Sequence, residues 1–327
     1  MNKLYPLKFK PIFKGKIWGG KKIKKLLNDG SIPEMEKCGE AWVLSGFGEN
    51  QTVVENGFLK DNELSELIEI YMDELVGEKS FEKFGNEFPL LIKLIDANDY
   101  LSIQVHPDDD LAKSLGLNSG KTEMWYIIDA DENAELISGF NRKMDEKTYL
   151  KYFKDKKLKE ILNFEKVKKG DVFYIPSGRV HALGPGVLLA EIQQAADVTY
   201  RIYDWDRVDK NGNSRELHTD LALKAIDFEY HDNYKTNYKI QDNKTSKIVD
   251  TPFFTTNIIN FNKTIQKDYT ELDSFVIYTC VEGSYELVYD DYKLIIKKGE
   301  TVLLPAITEK VILRPLFETK ILEVFIY

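Results

Sequence analysis

The sequence predicts a mainly β fold made of two related barrel- or sandwich-like domains, with helices added to the first. Three observations carry this reading. From Lys247 onward the chain is almost entirely short strand-like runs separated by Gly, Pro and Asp: DSFVIYTCVEG, SYELVYD, YKLIIKKGE, TVLLPA, KVILRP and TKILEVFIY. Strands and helical segments do not alternate steadily, which disfavours a parallel α/β sheet. The third is an internal echo: VKKGDVFYIPSGRVHAL (167–183) and IKKGETVLLPAITEKVI (296–312) share Lys-Lys-Gly-acid, a short strand and a Pro six residues after the Gly. At this offset His181 aligns with Lys310, so the second copy keeps the fold signal and lacks the histidine. The chain is therefore expected to divide into residues 1–240, chemically equipped, and 241–327, structural.

The elements follow in order. The opening stretch MNKLYPLKFKPIFKGKIWGG has no continuous apolar core and no small-residue cleavage site, so no signal peptide is expected. KKIKK at 21–25 reads as a solvated helix face. Residues 62–84 carry apolar residues at helical spacing and predict one or two helices broken near Gly77. FPLLIKLIDANDYLSIQVHPDD predicts two short strands around a turn at DAND, and KTEMWYIIDA and AELISGF predict two more. Residues 143–163 and 215–227 read as helices, and the segment between them returns to short strands with Gly and Pro at the turns. SGFGEN at 45–50 is the nearest approach to a glycine-rich nucleotide loop and lacks the third glycine.

Composition narrows the function. The 327 residues carry a formal net charge of −9, which argues against a nucleic-acid partner but allows a local basic pocket for an anionic small molecule. No apolar run is long enough to span a membrane. Two widely separated cysteines, Cys38 and Cys280, exclude a disulfide framework and suit a reducing cytoplasm, although a single bridge stays open.

The chemistry concentrates between residues 93 and 201. Ser102, Gln104 and His106 share one face of a strand, Lys121, Glu123 and Trp125 share another, and Glu191 and Gln193 a third. Such faces are either solvated or line a site. His106, Glu123 and His181, with Gln104, form a sound ligand set for a divalent metal, two imidazoles and one carboxylate with a position left open. Residue types alone admit Zn2+ or non-haem Fe(II). Lys93 stands alone in the apolar run LLIKLI and needs either an anionic partner or an escape to a strand edge. Arg201 has Asp197 and Asp204 as possible structural partners. His218 and His231 read as structural.

LIKLIDANDYLSIQVHPDD, GKTEMWYI, IPSGRVHALGPG and LLAEIQQAADVTYRIYDWDR, in this order, resemble the motifs of type I mannose-6-phosphate isomerases of the short bacterial kind. KIWGG and LHTDLALKAIDF fit the same family. The resemblance implies two cupin jelly-roll domains with added helices. It also implies one Zn2+ per chain held by Gln104, His106, Glu123 and His181, and a substrate phosphate approached by Lys93 and Ser102. Lys121, Glu191, Asp197 and Arg201 would line the sugar pocket. Some relatives carry a Tyr two residues after the last metal histidine. Leu183 stands there, so no role of that Tyr carries over. The implied reaction interconverts mannose 6-phosphate and fructose 6-phosphate through a cis-enediol, in a cytoplasmic monomer or homodimer without nucleic-acid or membrane partners. An iron oxygenase on the same ligand set and a non-catalytic sugar-phosphate sensor are the rival readings. The intact ligand set of the first domain speaks against the sensor.

Overall fold

The computed structural model describes residues 3–27, 37–208 and 211–327. In the first half, strands Val172–Ile175, Glu123–Ala130, Val187–Gln194 and Leu90–Ala97 lie side by side, continued by Ile12–Gly20, Cys38–Phe47 and Asn50–Gln51. A second sheet runs Leu162–Lys166, Glu135–Phe140, His181–Leu183, Ile103–Val105 and Tyr200–Tyr203. Trp125, Ile127, Leu189 and Ile95 from the first sheet pack on Leu136 and Leu183 of the second, closing one end of a barrel. Each such fully buried aliphatic side chain contributes about 1.5–3 kcal/mol.

The second half repeats this plan with fewer strands. Thr301–Leu304, Val276–Glu282, Thr319–Phe325, Thr255–Phe261 and Lys244–Asp250 form one sheet, and Tyr292–Lys297, Ser284–Tyr289, Lys310–Pro315 and Ile265–Asp268 the other. The echo seen in the sequence is a structural repeat. Gly170 and Gly299 both take positive φ, 89° and 90°. The N–H of Gly170 donates to the Ile127 carbonyl and that of Gly299 to the Cys280 carbonyl. Phe173 pairs with Trp125, and Val302, at the same offset, with Tyr278. The repeat departs from the alignment in one respect. Lys310 opens its strand as His181 opens His181–Leu183, but its side chain is about half exposed and lies 3.5 Å from Asp268. Val311 packs inward instead. A shift of one residue turns a strand's side chains to the opposite face, so Lys310 does not occupy the interior place of His181.

The two halves interlock. Leu7–Lys10, at the start of the chain, pairs with Thr301–Leu304, Leu7 opposite Leu303, across the expected division at 240/241. Leu90–Ala97 is buried along its whole length. Leu90, Ile92 and Leu94 join a core shared with the second half, while the alternate residues face the first barrel's interior. The outer face of the smaller sheet, Ile103, Val105, Ile137 and Ala182, is covered by Tyr149 and Ala222 from two helices.

The helices are shorter than their sequence windows. The 62–84 window holds Leu64–Val76 and Glu78–Phe84, broken at Gly77, where φ is 92° and a Cβ would stand 2.7 Å from the Asp273 carbonyl oxygen. The 143–163 window holds helix Glu146–Lys154, capped by the Asp145 side chain, then a single 3-10 turn, with a strand already begun at Leu162. The 215–227 window contracts to Thr219–Ala225. The two strands around DAND lie in different sheets rather than forming a hairpin. Cys38 and Cys280 are both free and buried, so they form no bridge.

Candidate active site

Register builds the site. On neighbouring strands of the larger sheet, Trp42 lies opposite Lys93, Lys93 opposite Glu191, Glu191 opposite Trp125 and Trp125 opposite Phe173. One rung along, Glu123 lies opposite Gln193. On the facing sheet Gln104 is flanked by His181 on one side and Arg201 on the other. The polar rows noticed in the sequence therefore face inward from two sheets onto one interior.

At its centre His106, Glu123 and His181 are 1% exposed or less, and their potential ligand atoms all lie within 4.8 Å of one another. His106 Nε2 is 3.5 Å from Glu123 Oε2, and His181 Nε2 is 3.4 Å from Glu123 Oε1. His181 Nδ1 is 2.8 Å from the Arg179 carbonyl oxygen, so that nitrogen carries the proton and Nε2 presents a lone pair to the centre. Burial, reinforced by nearby cations, keeps both imidazoles neutral, with His181 pushed down to about 4. Burial also pushes the Glu123 carboxyl up, with Glu191 adding to the effect. Glu123 Oε1 accepts no hydrogen bond. A buried carboxylate oxygen without a donor, between two neutral imidazoles, fits a divalent cation. Gln104 Nε2 lies 3.1 Å from His181 Nε2, and a half-turn of its amide presents Oε1 as a further ligand.

Lys121 Nζ stands beside this set, 2.9 Å from Glu123 Oε2 and 3.2 Å from His106 Nε2. Burial would lower its pKa, but Glu123 and Glu191 outweigh that and raise it, so it is an ammonium. A cavity of about 320 Å³ opens on this centre, with Lys93, Ser102, Gln104, Lys121, His181, Glu191, Asp197 and Arg201 in its wall. Eight of the ten residues given site roles in the sequence thus line one cavity, and the other two, His106 and Glu123, stand behind it beside His181.

Lys93 meets the first of its two sequence readings, an anionic partner, but that partner is a residue of the chain itself. It lies on an interior strand and is 4% exposed, so it does not snorkel. Its anionic partner is Glu191, at 3.2 Å, and it donates to Gln193 Oε1 at 2.6 Å. Arg201 pairs with neither Asp197 nor Asp204. Its Nη1 donates to the Glu216 carbonyl, and Asp204 instead takes Arg207 and Arg215.

Sequence reasoning missed several residues here, and the role of Trp125, which it only grouped with Lys121 and Glu123. Trp125 Nε1 donates to Glu191 Oε2 at 3.0 Å, so the tryptophan in KTEMWY orients the pocket carboxylate. Lys16 and Glu40 line the cavity as a pair at 3.0 Å. His218, read as structural, exchanges two hydrogen bonds with the backbone of Arg201 and so holds that strand end in place. Arg215 opens the stretch read as a helix, but it lies on the loop before Thr219–Ala225. It reaches the cavity only because its loop folds back over Tyr200–Tyr203.

A jelly-roll barrel with an interior His–Glu–His set opening on a polar cavity defines the class: this is a cupin metal centre. Residues 6–160 match the catalytic domain of type I phosphomannose isomerase, and residues 244–318 match the cupin domain of mannose-6-phosphate isomerase. The mannose-6-phosphate isomerase ManA of Bacillus subtilis is 37% identical over 304 residues, covering 92% of this chain and 93% of its own. A mannose-6-phosphate isomerase of Streptococcus mutans is 36% identical, with 89% of each chain covered. The crystal structure of the mannose 6-phosphate isomerase from Bacillus subtilis superposes with a TM-score of 0.87 at 34% identity, over 98% of this chain and 99% of that one. The chain belongs to the type I mannose-6-phosphate isomerase family.

Proposed function

We infer that this chain is an enzyme interconverting mannose 6-phosphate and fructose 6-phosphate. Family membership supports this, and the observation that carries it is the buried, donor-poor Glu123 between two neutral imidazoles at the foot of a polar cavity. Residues 1–240 form the catalytic unit on this reading, and 241–327 a supporting one. The reaction moves a proton between C2 and C1 of the open-chain sugar through a cis-enediol. It needs a base for a carbon-bound proton, positive charge at the enediolate oxygens, and a grip on the phosphate.

Gln104, His106, Glu123 and His181 would hold the metal, taken to be one Zn2+. The bound ion supplies Lewis-acid polarisation of the sugar oxygens. Arg201 adds fixed positive charge in the same cavity. Ser102 offers a hydroxyl to the phosphate, and Lys93, matched by Glu191, lends its ammonium from the floor. Both give binding energy remote from the reacting carbons. Lys121, Glu191 and Asp197 are the candidate proton carriers. Glu191 is engaged by Lys93 and Trp125, which leaves Lys121 and Asp197 as the stronger pair. Both stand in the cavity wall, where either can take the carbon proton or give one to a sugar oxygen. The free, buried thiols suit a cytoplasmic setting.

The test is a coupled assay of fructose 6-phosphate formation on protein stripped with chelator and then given Zn2+. Activity that disappears and returns supports the reaction and the metal together. Absence of turnover with every divalent metal refutes the isomerase. The base is tested by solvent-deuterium exchange: Lys121→Met and Asp197→Asn variants that both exchange at the wild-type rate would remove both residues from that role.

A further inference from the structure

We propose that Arg215 binds the substrate phosphate together with Arg201, and that Asp204 positions the Arg215 guanidinium for this. The inference rests on the reading that the substrate is a hexose 6-phosphate and deepens it by naming where the phosphate is held.

A phosphate monoester carries about −1.5 to −2 charges at pH 7 and three strong acceptor oxygens. It needs cations whose charge is not already matched. Three lysines of the cavity wall are each committed to a carboxylate: Lys16 to Glu40 at 3.0 Å, Lys93 to Glu191 at 3.2 Å and Lys121 to Glu123 at 2.9 Å. The surplus lies at the other end. Asp204, 5% exposed, faces two guanidiniums, Arg207 and Arg215, each at 2.6 Å. Among the described residues Arg207 has only the exposed Asp99 besides, at 3.8 Å. Arg201, in the same wall as Arg215, pairs with no carboxylate among the described residues.

The donors are also placed for the task. Arg215 commits Nε and Nη2 to Asp204, at 2.7 and 2.6 Å, in a two-pronged contact that fixes the guanidinium plane. Its Nη1 has no partner among the described residues, and its side chain is 37% exposed in the cavity wall. Arg201 spends Nη1 on the carbonyl of Glu216, the residue next to Arg215, which draws the two arginines to one end. Arg201 Nε is buried and has no acceptor. The loop bearing Asp204 is tied to the segment before Ser102. Trp205 Nε1 donates to the Leu101 carbonyl at 2.7 Å and Arg207 Nη1 to the Tyr100 carbonyl at 2.6 Å. Ser102, Arg201 and Arg215 therefore share one end of the cavity, where a planar guanidinium adds a directed contact to the ammonium that Lys93 lends from the floor.

The experiment compares wild type, Arg215→Met and Arg215→Lys by steady-state kinetics on mannose 6-phosphate and by competitive inhibition with inorganic phosphate. Loss of a charge-assisted contact predicts a rise of about 10- to 100-fold in both KM and the phosphate inhibition constant for Arg215→Met, with kcat changed far less. Arg215→Lys should fall between the two, and decides the matter if the Met variant does not fold. Both constants within twofold of wild type in a folded variant would overturn the proposal. Wild type inert toward mannose 6-phosphate would refute the isomerase reading instead. Calorimetry with inorganic phosphate then still tests Arg215, and equal affinity in wild type and variant would overturn its role.

Discussion

The Nζ of Lys93 lies 3.2 Å from Oε1 of Glu191, with both side chains no more than 5% exposed. The two residues face each other in register on neighbouring strands, and the pair is closed by Gln193 on one side and Trp125 on the other. Two opposite charges are thus held inside a barrel beneath a site that must accept a dianion. Neither can be lost without leaving the other buried and unmatched.

Removing one partner should therefore cost far more than removing both. Glu191→Gln leaves the ammonium facing neutral oxygens, a loss of about 3–5 kcal/mol for a broken buried pair. Lys93→Met should cost a similar amount, and the double variant less than either single. Urea unfolding of the three variants measures this. Additive losses would mean that water in the cavity already screens the two charges from each other.

Metal should stabilise the fold through the same site. A ligand bound only by the folded state at about a hundred times its Kd contributes about 2.7 kcal/mol. Chelator-stripped protein should therefore melt several degrees lower than zinc-loaded protein. Glu123→Gln, which keeps shape but removes the charge, should lose most of that difference. A metal-dependent shift that survives in Glu123→Gln would place the ion elsewhere.

The fold and the centre of the site were legible from the sequence for identifiable reasons. Strand alternation shows which side chains share a face, so Gln104 with His106, and Lys121 with Glu123 and Trp125, could be grouped without coordinates. The Lys-Lys-Gly-acid echo survives because a positive-φ glycine is required at both turns, Gly170 and Gly299. What alternation cannot show is which strands become neighbours. The partner of Lys93 is 98 residues away on Val187–Gln194 and follows only from register. Arg215 and Glu216 read as the start of a helix but lie on the loop before Thr219–Ala225, and the slip that turns Lys310 outward leaves no trace in the spacing of the echo.

Acid should remove the stabilising charge of Asp204. Burial would raise its pKa, but the hydrogen bonds and charges of Arg215 and Arg207 outweigh this and lower it. A carboxylate whose folded pKa is depressed stabilises the fold above its unfolded value of about 3.9. That contribution is lost as pH falls through the lower, folded value. Asp204→Asn removes it, so wild type and variant should differ in stability at neutral pH and converge below about pH 4. Denaturant midpoints measured between neutral pH and pH 3 check this, and a difference that stays constant throughout would show that the charge of Asp204 is not what matters.

The second barrel supplies the sharpest comparison. Glu323 lies opposite Tyr278 and Asn257, as Glu191 lies opposite Trp125 and Lys93, so it holds the same place in the repeat. Here the protein answers the carboxylate itself. Asn257 Nδ2 donates at 2.8 Å, Tyr269 Oη at 2.5 Å, and Lys267 Nζ lies at 2.8 Å. With its acceptors filled from within, this interior has nothing to offer a sugar phosphate and serves to hold its two sheets together. Glu323→Ala should cost about 3–5 kcal/mol, because Lys267 and Asn257 lose their shared partner. KM for mannose 6-phosphate should stay within twofold of wild type. Unfolding in urea and kinetics on the same preparation separate the two effects. A large rise in KM with little loss of stability would mean that the second barrel shapes the active site rather than merely supporting it.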